Sequence, residues 1–179
     1  HPTMLPKGRG RHPIPWSIIL GGGEWSGLTF FRLVVEPDAG PILWQRGLLR
    51  EIPDTQLLLH ANDVYERICW LGEYGIGEVV KRVIAGDPGV PQDKAQASWW
   101  PRRSEEDNLV DWARAETVSR LVRAMSRPYG GAWSIISRSA SAEEIQRGFG
   151  IRPEIRWWRV DTWNSHGLIA PPGTVQGVF

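Results

Sequence analysis

The chain has 179 residues, of which 41% are hydrophobic and 23% charged, a balance typical of a folded globular protein. Its 21 Lys and Arg against 20 Asp and Glu leave a formal charge of +1, so net charge alone indicates neither a nucleic-acid nor a membrane partner. The single cysteine, Cys69, excludes an internal disulfide and a multi-cysteine metal site. It lies in an apolar helical pattern and is predicted to be buried. No stretch is apolar enough to cross a bilayer, and a cytoplasmic location is expected.

The first predicted elements are a loop, a helix and two strands. Residues 1–12 form a loop whose prolines and glycines fix its path. PIPWSIILGG predicts a short helix, because proline stands in its first turn and glycine follows its end. SGLTFFRLVV (residues 26–35) and PILWQRGLLREI each predict a strand, since both are rich in β-branched, aromatic and aliphatic residues. The turn EPDAG separates them, so a hairpin-like pair with an acidic bend is expected.

The longest predicted helix runs from Thr55 to Gly86. Thr55 suits the N-cap position, and apolar residues recur behind it at helical spacing. Three internal glycines, Gly72, Gly75 and Gly77, are expected to bend the helix or to break it in two.

The second half of the chain changes character. Residues 87–111 are polar and proline-rich, which predicts a connector, and LVDW at its end predicts a short strand or bridge. AETVSRLVRAM predicts an amphipathic helix. Its apolar face consists of Val118, Leu121, Val122 and Met125. Beyond residue 130, AWSIIS, EIRWWRVDTW and GTVQGVF predict short strands. This order predicts an α/β unit followed by a small β domain.

The ends of the chain look interrupted. Two strands and a long helix do not make a doubly wound sheet that is covered on both faces, and GTVQGVF stops within an expected strand. The chain is therefore interpreted as a fragment of a longer protein.

His1 and Asp38 are the candidate chemical groups. Both stand in predicted loops, and in open α/β sheets functional groups gather in the loops at the carboxyl ends of strands. If the two meet, the carboxylate would fix the tautomer of the imidazole, and acid–base work by such a pair is typically worth about 10²–10⁴ in rate. Two unrelated surface residues remain the alternative. A metal site with His12 is disfavoured, because the spacing lacks a ligand pattern.

HPTMLPKGRGRHPIPWSI and SGLTFFRLVVEPDAGPIL closely resemble the folate-dependent formyltransferases. That family includes methionyl-tRNA formyltransferase, the nucleotide-amino-sugar N-formyltransferases and glycinamide ribonucleotide formyltransferase. Its members show Asn-x-His-Pro, a Leu-Pro-x-x-Arg-Gly loop, a Gly-(Val/Leu)-Thr strand and an Asp-(Ala/Thr)-Gly turn. The matching positions are His1, Leu5, Pro6, Arg9, Gly10, Gly27, Leu28, Thr29, Asp38, Ala39 and Gly40. The resemblance continues through WWPRRSEEDNLVDW, VRAMSRPYGGAWS and APPGTV, and so covers nearly the whole chain.

The resemblance implies an α/β fold with two parts. Residues 1–111 would be the C-terminal half of a Rossmann-like formyltransferase domain, including a linker at about 87–111. Residues 112–179 would form a partial C-terminal β domain, similar to an OB-like barrel, with one entry helix.

The resemblance also implies transfer of a formyl group from 10-formyltetrahydrofolate to a primary amine, without a metal. His1 would help to remove the amine proton or to stabilise the oxyanion, and Asp38 would orient His1 and an ordered water. The backbone around VEPDAG would line the pterin pocket. This assigns folate binding to Val35, Glu36, Pro37, Asp38 and Gly40.

The implied acceptor carries phosphate, and Lys7, Arg9 and Arg11 would contact it; a solvated loop is the alternative for these three residues. A second domain is shared by the enzymes for both remaining acceptors, of which initiator methionyl-tRNA is placed first and a nucleotide-linked amino sugar is the alternative. Glycinamide ribonucleotide is disfavoured, because its enzyme consists of the catalytic domain alone. The resemblance implies no membrane partner and leaves the oligomeric state open.

One departure from the family pattern concerns the catalytic asparagine, whose position falls before His1. Loss of one oxyanion donor commonly costs about 10²–10³ in turnover. The 179-residue chain is therefore expected to be inactive by itself, and an inactive or merely binding remnant is the alternative from another functional class.

Overall fold

The computed structural model of the chain describes residues 1–22, 25–48, 59–113, 115–135 and 154–157. They form an α/β arrangement of six strands and three α-helices within those ranges. In chain order these are β1 (Arg9–Gly10), α1 (Pro13–Ile19), β2 (Gly27–Phe31), β3 (Ile42–Gly47), α2 (Ala61–Ile84), β4 (Trp99–Trp100), α3 (Ala115–Ala124), β5 (Ala132–Ile135) and β6 (Glu154–Trp157). Short 3-10 turns lie at Lys94–Gln96 and Glu106–Asn108. No helix in these ranges is long and apolar enough to cross a membrane.

The strands pair as three two-stranded sheets. β1 runs parallel to β4, whereas β2 pairs antiparallel with β3 and β5 antiparallel with β6. The β2–β3 pair places Gly27 opposite Gly47 and confirms the predicted hairpin-like pairing. β2 ends at Phe31, however, earlier than residue 35. The backbone N–H of Arg32 donates to the carbonyl of Pro41 at 2.9 Å, and this contact closes the turn before residues 33–40 can extend the ladder.

The helix α2 begins at Ala61, behind His60. The backbone N–H of His60 donates to the Asp63 carboxylate at 2.8 Å, and the two residues form a reciprocal capping box. The expected cap at Thr55 lies outside the described residues. α2 continues unbroken through its glycines. At Gly75 a Cβ would come within 2.9 Å of the Trp44 ring, so this glycine allows close packing against β3.

Cys69 is exposed on α2, and the prediction that it is buried is wrong. The face of α2 that packs inward carries Val64, Leu71 and Val79. A second apolar stripe runs beside it, where Cys69 lies near exposed residues such as Tyr65 and Ile76. Both stripes have helical spacing, so the sequence alone does not show which of the two stripes is buried.

Two clusters of buried side chains make up the core of the described part of the chain. The first packs α1, β2 and α2 together, and its members are Ile14, Ile18, Leu28, Leu48, Ala61, Val64, Leu71 and Ala124. The second consists of Val110, Val118, Leu121, Val122, Met125 and Ala132. The predicted apolar face of α3 is therefore confirmed as buried. Ile19 and Tyr129 pack against both clusters.

Contacts tie α3 to the start of α2. The Arg123 guanidinium donates to the carbonyl of Leu59 at 3.1 Å, and the backbone N–H of Ala61 donates to the Ser126 hydroxyl at 3.0 Å. LVDW forms the predicted bridge, through Leu109 and Trp133. The described residues contain no closed barrel, and GTVQGVF lies outside them. The OB-like part of the fold prediction stays a prediction.

Candidate functional site

Backbone pairing with β2 positions His1. Its backbone nitrogen donates to the carbonyl of Thr29 at 2.8 Å, and its own carbonyl accepts from the Thr29 N–H at 2.9 Å. The imidazole Nε2 lies 2.9 Å from the carbonyl oxygen of Gly8. Because a carbonyl oxygen can only accept, this contact places a hydrogen on Nε2. Nδ1 is the ring nitrogen that faces Asp38.

Asp38 reaches His1 from the turn between β2 and β3. Its Oδ1 lies 3.6 Å from Nδ1 of His1, and its Oδ2 accepts from the Gly10 N–H at 2.8 Å. The His1 and Asp38 side chains are 9% and 20% exposed, so the pair is largely covered but reachable from solvent. The structure thus brings the two predicted groups together. The described residues hold no group of three His, Cys, Asp or Glu side chains suited to a metal ion.

The turn that carries Asp38 has an unusual backbone. Asp38 itself has a φ of 53°, in the left-handed region that aspartate tolerates better than most non-glycine residues. Two residues on, a Cβ at Gly40 would overlap the carbonyl oxygen of Arg32. Glycine is therefore needed for the turn to fold back onto the end of β2.

The predicted folate-binding residues share this turn. Val35, Glu36 and Pro37 are exposed, and Val35 is exposed over its full surface. Leu33, just before them, is 89% exposed. A solvent-facing segment that begins with three apolar residues therefore precedes Asp38. Its role in binding folate stays a prediction.

The structure separates the three predicted phosphate contacts. Arg11 is exposed, and the Lys7 ammonium lies 4.8 Å from the centre of the Trp25 ring. Arg9 is only 5% exposed. Its guanidinium donates to the Gln92 side-chain oxygen at 2.7 and 3.2 Å and approaches the Glu36 carboxylate at 3.3 Å. This geometry favours a structural role for Arg9.

The sequence analysis did not single out Gln92. Its side-chain nitrogen donates to the carbonyl oxygens of Asp38 and Gly40, each at 2.8 Å. Gln92 lies in the connector after α2, among polar residues of the same appearance. No local pattern marks it, because its importance depends on contacts with residues more than 50 positions away.

The pairing of β1 with β4 brings the residues after Trp100, among them Arg103, to the loop that follows His1. Gly10 lies opposite Trp100, and the Arg11 N–H donates to the carbonyl of Trp100 at 3.1 Å. Just beyond, Nδ1 of His12 accepts from the backbone N–H of Arg103 at 3.0 Å. This contact gives His12 a packing role in the loop.

Comparisons with known proteins agree with the sequence motifs. Residues 102–178 match the family described as formyl transferase, C-terminal domain. HypX from Aquifex aeolicus, solved in complex with tetrahydrofolic acid, aligns with a TM-score of 0.62 and 26% identity, over 76% of this chain and 23% of HypX. Methionyl-tRNA formyltransferase from Clostridium thermocellum aligns with a TM-score of 0.59 and 19% identity, over 80% of this chain and 62% of that one.

A third structure is the N-formyltransferase from Helicobacter canadensis in complex with folinic acid and dTDP-3-aminofucose. It aligns with a TM-score of 0.54 and 21% identity, over 69% of this chain and 45% of that one. These similarities to formyltransferases, at residues 102–178 by the family match and over most of the chain by fold, confirm the resemblance seen in its motifs. The chain spans about a quarter of the length of HypX.

Proposed function

We propose that the chain carries the acid–base part of a folate-dependent formyl-transfer site. The observation that carries the proposal is the approach of Asp38 Oδ1 to His1 Nδ1 at 3.6 Å, while Gly10 holds the other carboxylate oxygen at 2.8 Å. A carboxylate beside Nδ1 supports the positive charge that forms when that nitrogen accepts a proton.

In the proposed reaction, 10-formyltetrahydrofolate supplies the formyl group, and the amine nitrogen of the acceptor forms a bond to the formyl carbon. His1 takes the proton that the amine loses. Nδ1 is the atom in position to do so, because Nε2 is held by the carbonyl of Gly8. The bond between the formyl carbon and the folate nitrogen then breaks, and His1 returns the proton to that nitrogen, so that His1 ends in its starting form.

We assign folate binding to the turn between β2 and β3. Val35, Glu36, Pro37, Asp38 and Gly40 lie on this one turn. The main-chain groups of such a turn can recognise the donors and acceptors of a flat heterocycle. The exposed apolar side chain of Val35 offers a surface for it.

The acceptor that we propose first is initiator methionyl-tRNA. Lys7 and Arg11 lie on the loop that leads from His1, and from Arg114 onward the sequence has nine arginines against five acidic residues. Arginine suits phosphate, since its planar fork of donors matches the oxygens. A nucleotide-linked amino sugar is the second candidate, and the likeness to the Helicobacter canadensis enzyme supports it.

The test is an assay of the full-length protein with 10-formyltetrahydrofolate and either acceptor. We expect formylation of methionyl-tRNA, with binding that weakens steeply as salt rises. Formylation of the amino sugar alone would transfer the proposal to the second acceptor. Asp38→Asn should lower the rate by about 10²-fold or more. The proposal fails if neither acceptor is formylated, or if Asp38→Asn retains the full rate.

The 179-residue chain by itself is expected to give no turnover. The family's asparagine, which would hold the formyl oxygen, precedes the position of His1, and such a donor is worth about 10²–10³ in turnover. Formyl transfer by the isolated chain would contradict this expectation and would show that His1 and Asp38 suffice.

A further inference from the structure

Gln92 connects three separate parts of the site. Its side-chain oxygen accepts two N–H groups of Arg9, at 2.7 and 3.2 Å. Its side-chain nitrogen donates to the carbonyl oxygens of Asp38 and Gly40, both at 2.8 Å. Both N–H groups of the amide therefore donate to the turn that carries Asp38.

The orientation of this amide follows from its partners. A guanidinium has donors only, so the atom of Gln92 that faces Arg9 must be the oxygen. The nitrogen must then face the two carbonyl oxygens, which can only accept. Arg9 is 5% exposed, and its cation is thus held in place beside the amide. Burial and charge together allow one orientation of Gln92.

The turn requires such support. Asp38 has a φ of 53°, a conformation that is unfavourable for a residue with a side chain unless its surroundings hold it. The distance of 3.6 Å between Asp38 Oδ1 and His1 Nδ1 exceeds the usual range for a hydrogen bond. A movement of the turn by less than about 1 Å decides whether the pair closes or separates.

We propose that Gln92 is a positioning residue of the site, which holds the carbonyls of Asp38 and Gly40 and so keeps the Asp38 carboxylate aimed at His1. Arg9 fixes the amide from the other side. The connector after α2 thus contributes directly to the geometry of a pair that lies more than 50 residues earlier. This role rests on the formyl transfer proposed above.

Two substitutions in the full-length protein separate the functions of the amide. Gln92→Met keeps the length of the side chain and removes all four contacts. Gln92→Glu keeps an oxygen for Arg9, which preserves the buried cation's partner, but replaces both N–H donors by an acceptor. Gln96→Met is the matched control, because Gln96 lies on the same connector, is exposed, and its side-chain nitrogen donates to Asp93 at 2.9 Å.

The first measurement is turnover. We expect Gln92→Met and Gln92→Glu to lower kcat by about 10- to 100-fold, and Gln96→Met to leave kcat unchanged. Gln92→Met combined with Asp38→Asn should be no slower than Asp38→Asn alone, since no carboxylate is left to position. A purely structural role predicts instead that the two losses multiply.

The second measurement is amide hydrogen exchange at Gly10, whose N–H donates to Asp38 Oδ2. Its protection should be lost in both Gln92 variants and kept in Gln96→Met. Exchange can be measured without formyl transfer. If the wild-type protein transfers no formyl group, the proposed function fails, and the exchange result alone decides the positioning role. Folded Gln92 variants with full Gly10 protection, or multiplying losses in the double variant, would overturn the positioning role.

Discussion

Arg103 donates its backbone N–H to Nδ1 of His12 at 3.0 Å, although 91 residues separate the two along the chain. The contact exists because β1 pairs in parallel with β4. This pairing places Gly10 opposite Trp100, and His12 and Arg103 follow shortly after these two residues. Nδ1 can accept only while it carries no proton. Burial lowers the pKa of His12 below its ordinary value of 6.5, and the nearby charges of Arg102, Arg103 and Arg11 lower it further.

The stability of the protein should therefore depend on the protonation of His12. A histidine whose pKa is lower in the folded state favours folding while it is neutral, so its contribution is complete above about pH 6.5 and is lost as the pH falls through the lower value. In urea unfolding at pH 7.5 and pH 5.5, we expect wild type to lose more stability between the two than His12→Asn. Asparagine keeps an acceptor and tolerates the φ of 54° at this position. An equal loss in both proteins would contradict the prediction.

Gly40→Ala should destabilise the fold strongly. Its Cβ would overlap the carbonyl oxygen of Arg32, which is main chain and cannot rotate away, so the turn must shift. Such overpacking costs about 1–3 kcal/mol or more. Gly77→Ala is the matched control. Its Cβ would meet nothing within 4 Å in the middle of α2, and the change should stabilise by about 0.5–1 kcal/mol.

Chemical denaturation with a common m-value measures both changes. If Gly40→Ala unfolds at the same denaturant concentration as wild type, the turn does not approach the end of β2 closely enough to exclude a Cβ. Loss of stability in Gly77→Ala would show that this part of α2 is covered.

Elements with strong local signals could be predicted from the sequence. Proline at the start and glycine after the end marked α1, and the turn EPDAG marked the β2–β3 pair. The apolar face of α3 followed from its spacing. In each case neighbouring residues carry the information, so no distant contact is needed to interpret it.

The remainder depends on contacts between distant residues. Arg9 matched a family motif and was predicted to contact phosphate, but its guanidinium lies against Gln92, 83 residues away. Cys69 lies in an apolar pattern, but the neighbouring stripe of α2 packs inward. The approach of His1 to Asp38 was expected, whereas the support from Gln92 has no signature in a single sequence.

Leu71→Ala should test the core that holds α2 against β2. Leu71 is 1% exposed and belongs to the first buried cluster. Removal of a buried leucine side chain to alanine costs about 2–5 kcal/mol. Ile84→Ala is the control at the end of the same helix, since Ile84 is 81% exposed and should change stability by less than about 0.5 kcal/mol. Equal effects of the two, measured by urea or thermal unfolding, would refute this assignment of the inner face.

Arg9 and Arg11 should behave differently when each is replaced by alanine. Arg9→Ala removes a buried side chain and leaves the side-chain oxygen of half-buried Gln92 without its Arg9 donors, at a cost of about 1–3 kcal/mol. Arg11 is exposed, and its loss should change stability by less than about 0.5 kcal/mol. Unfolding curves of the two variants give this comparison directly.

Binding of the acceptor gives the complementary comparison. If methionyl-tRNA is the acceptor, Arg11→Ala should weaken its binding and reduce the dependence of log K on log salt by about 0.7–0.9, as expected for one lost phosphate contact. Arg9→Ala should leave that slope unchanged, because the Arg9 guanidinium is occupied by Gln92 and Glu36. A reduced slope in Arg9→Ala, with stability intact, would instead place Arg9 on the acceptor. Gln92 would then lack the fixed partner that its orientation requires.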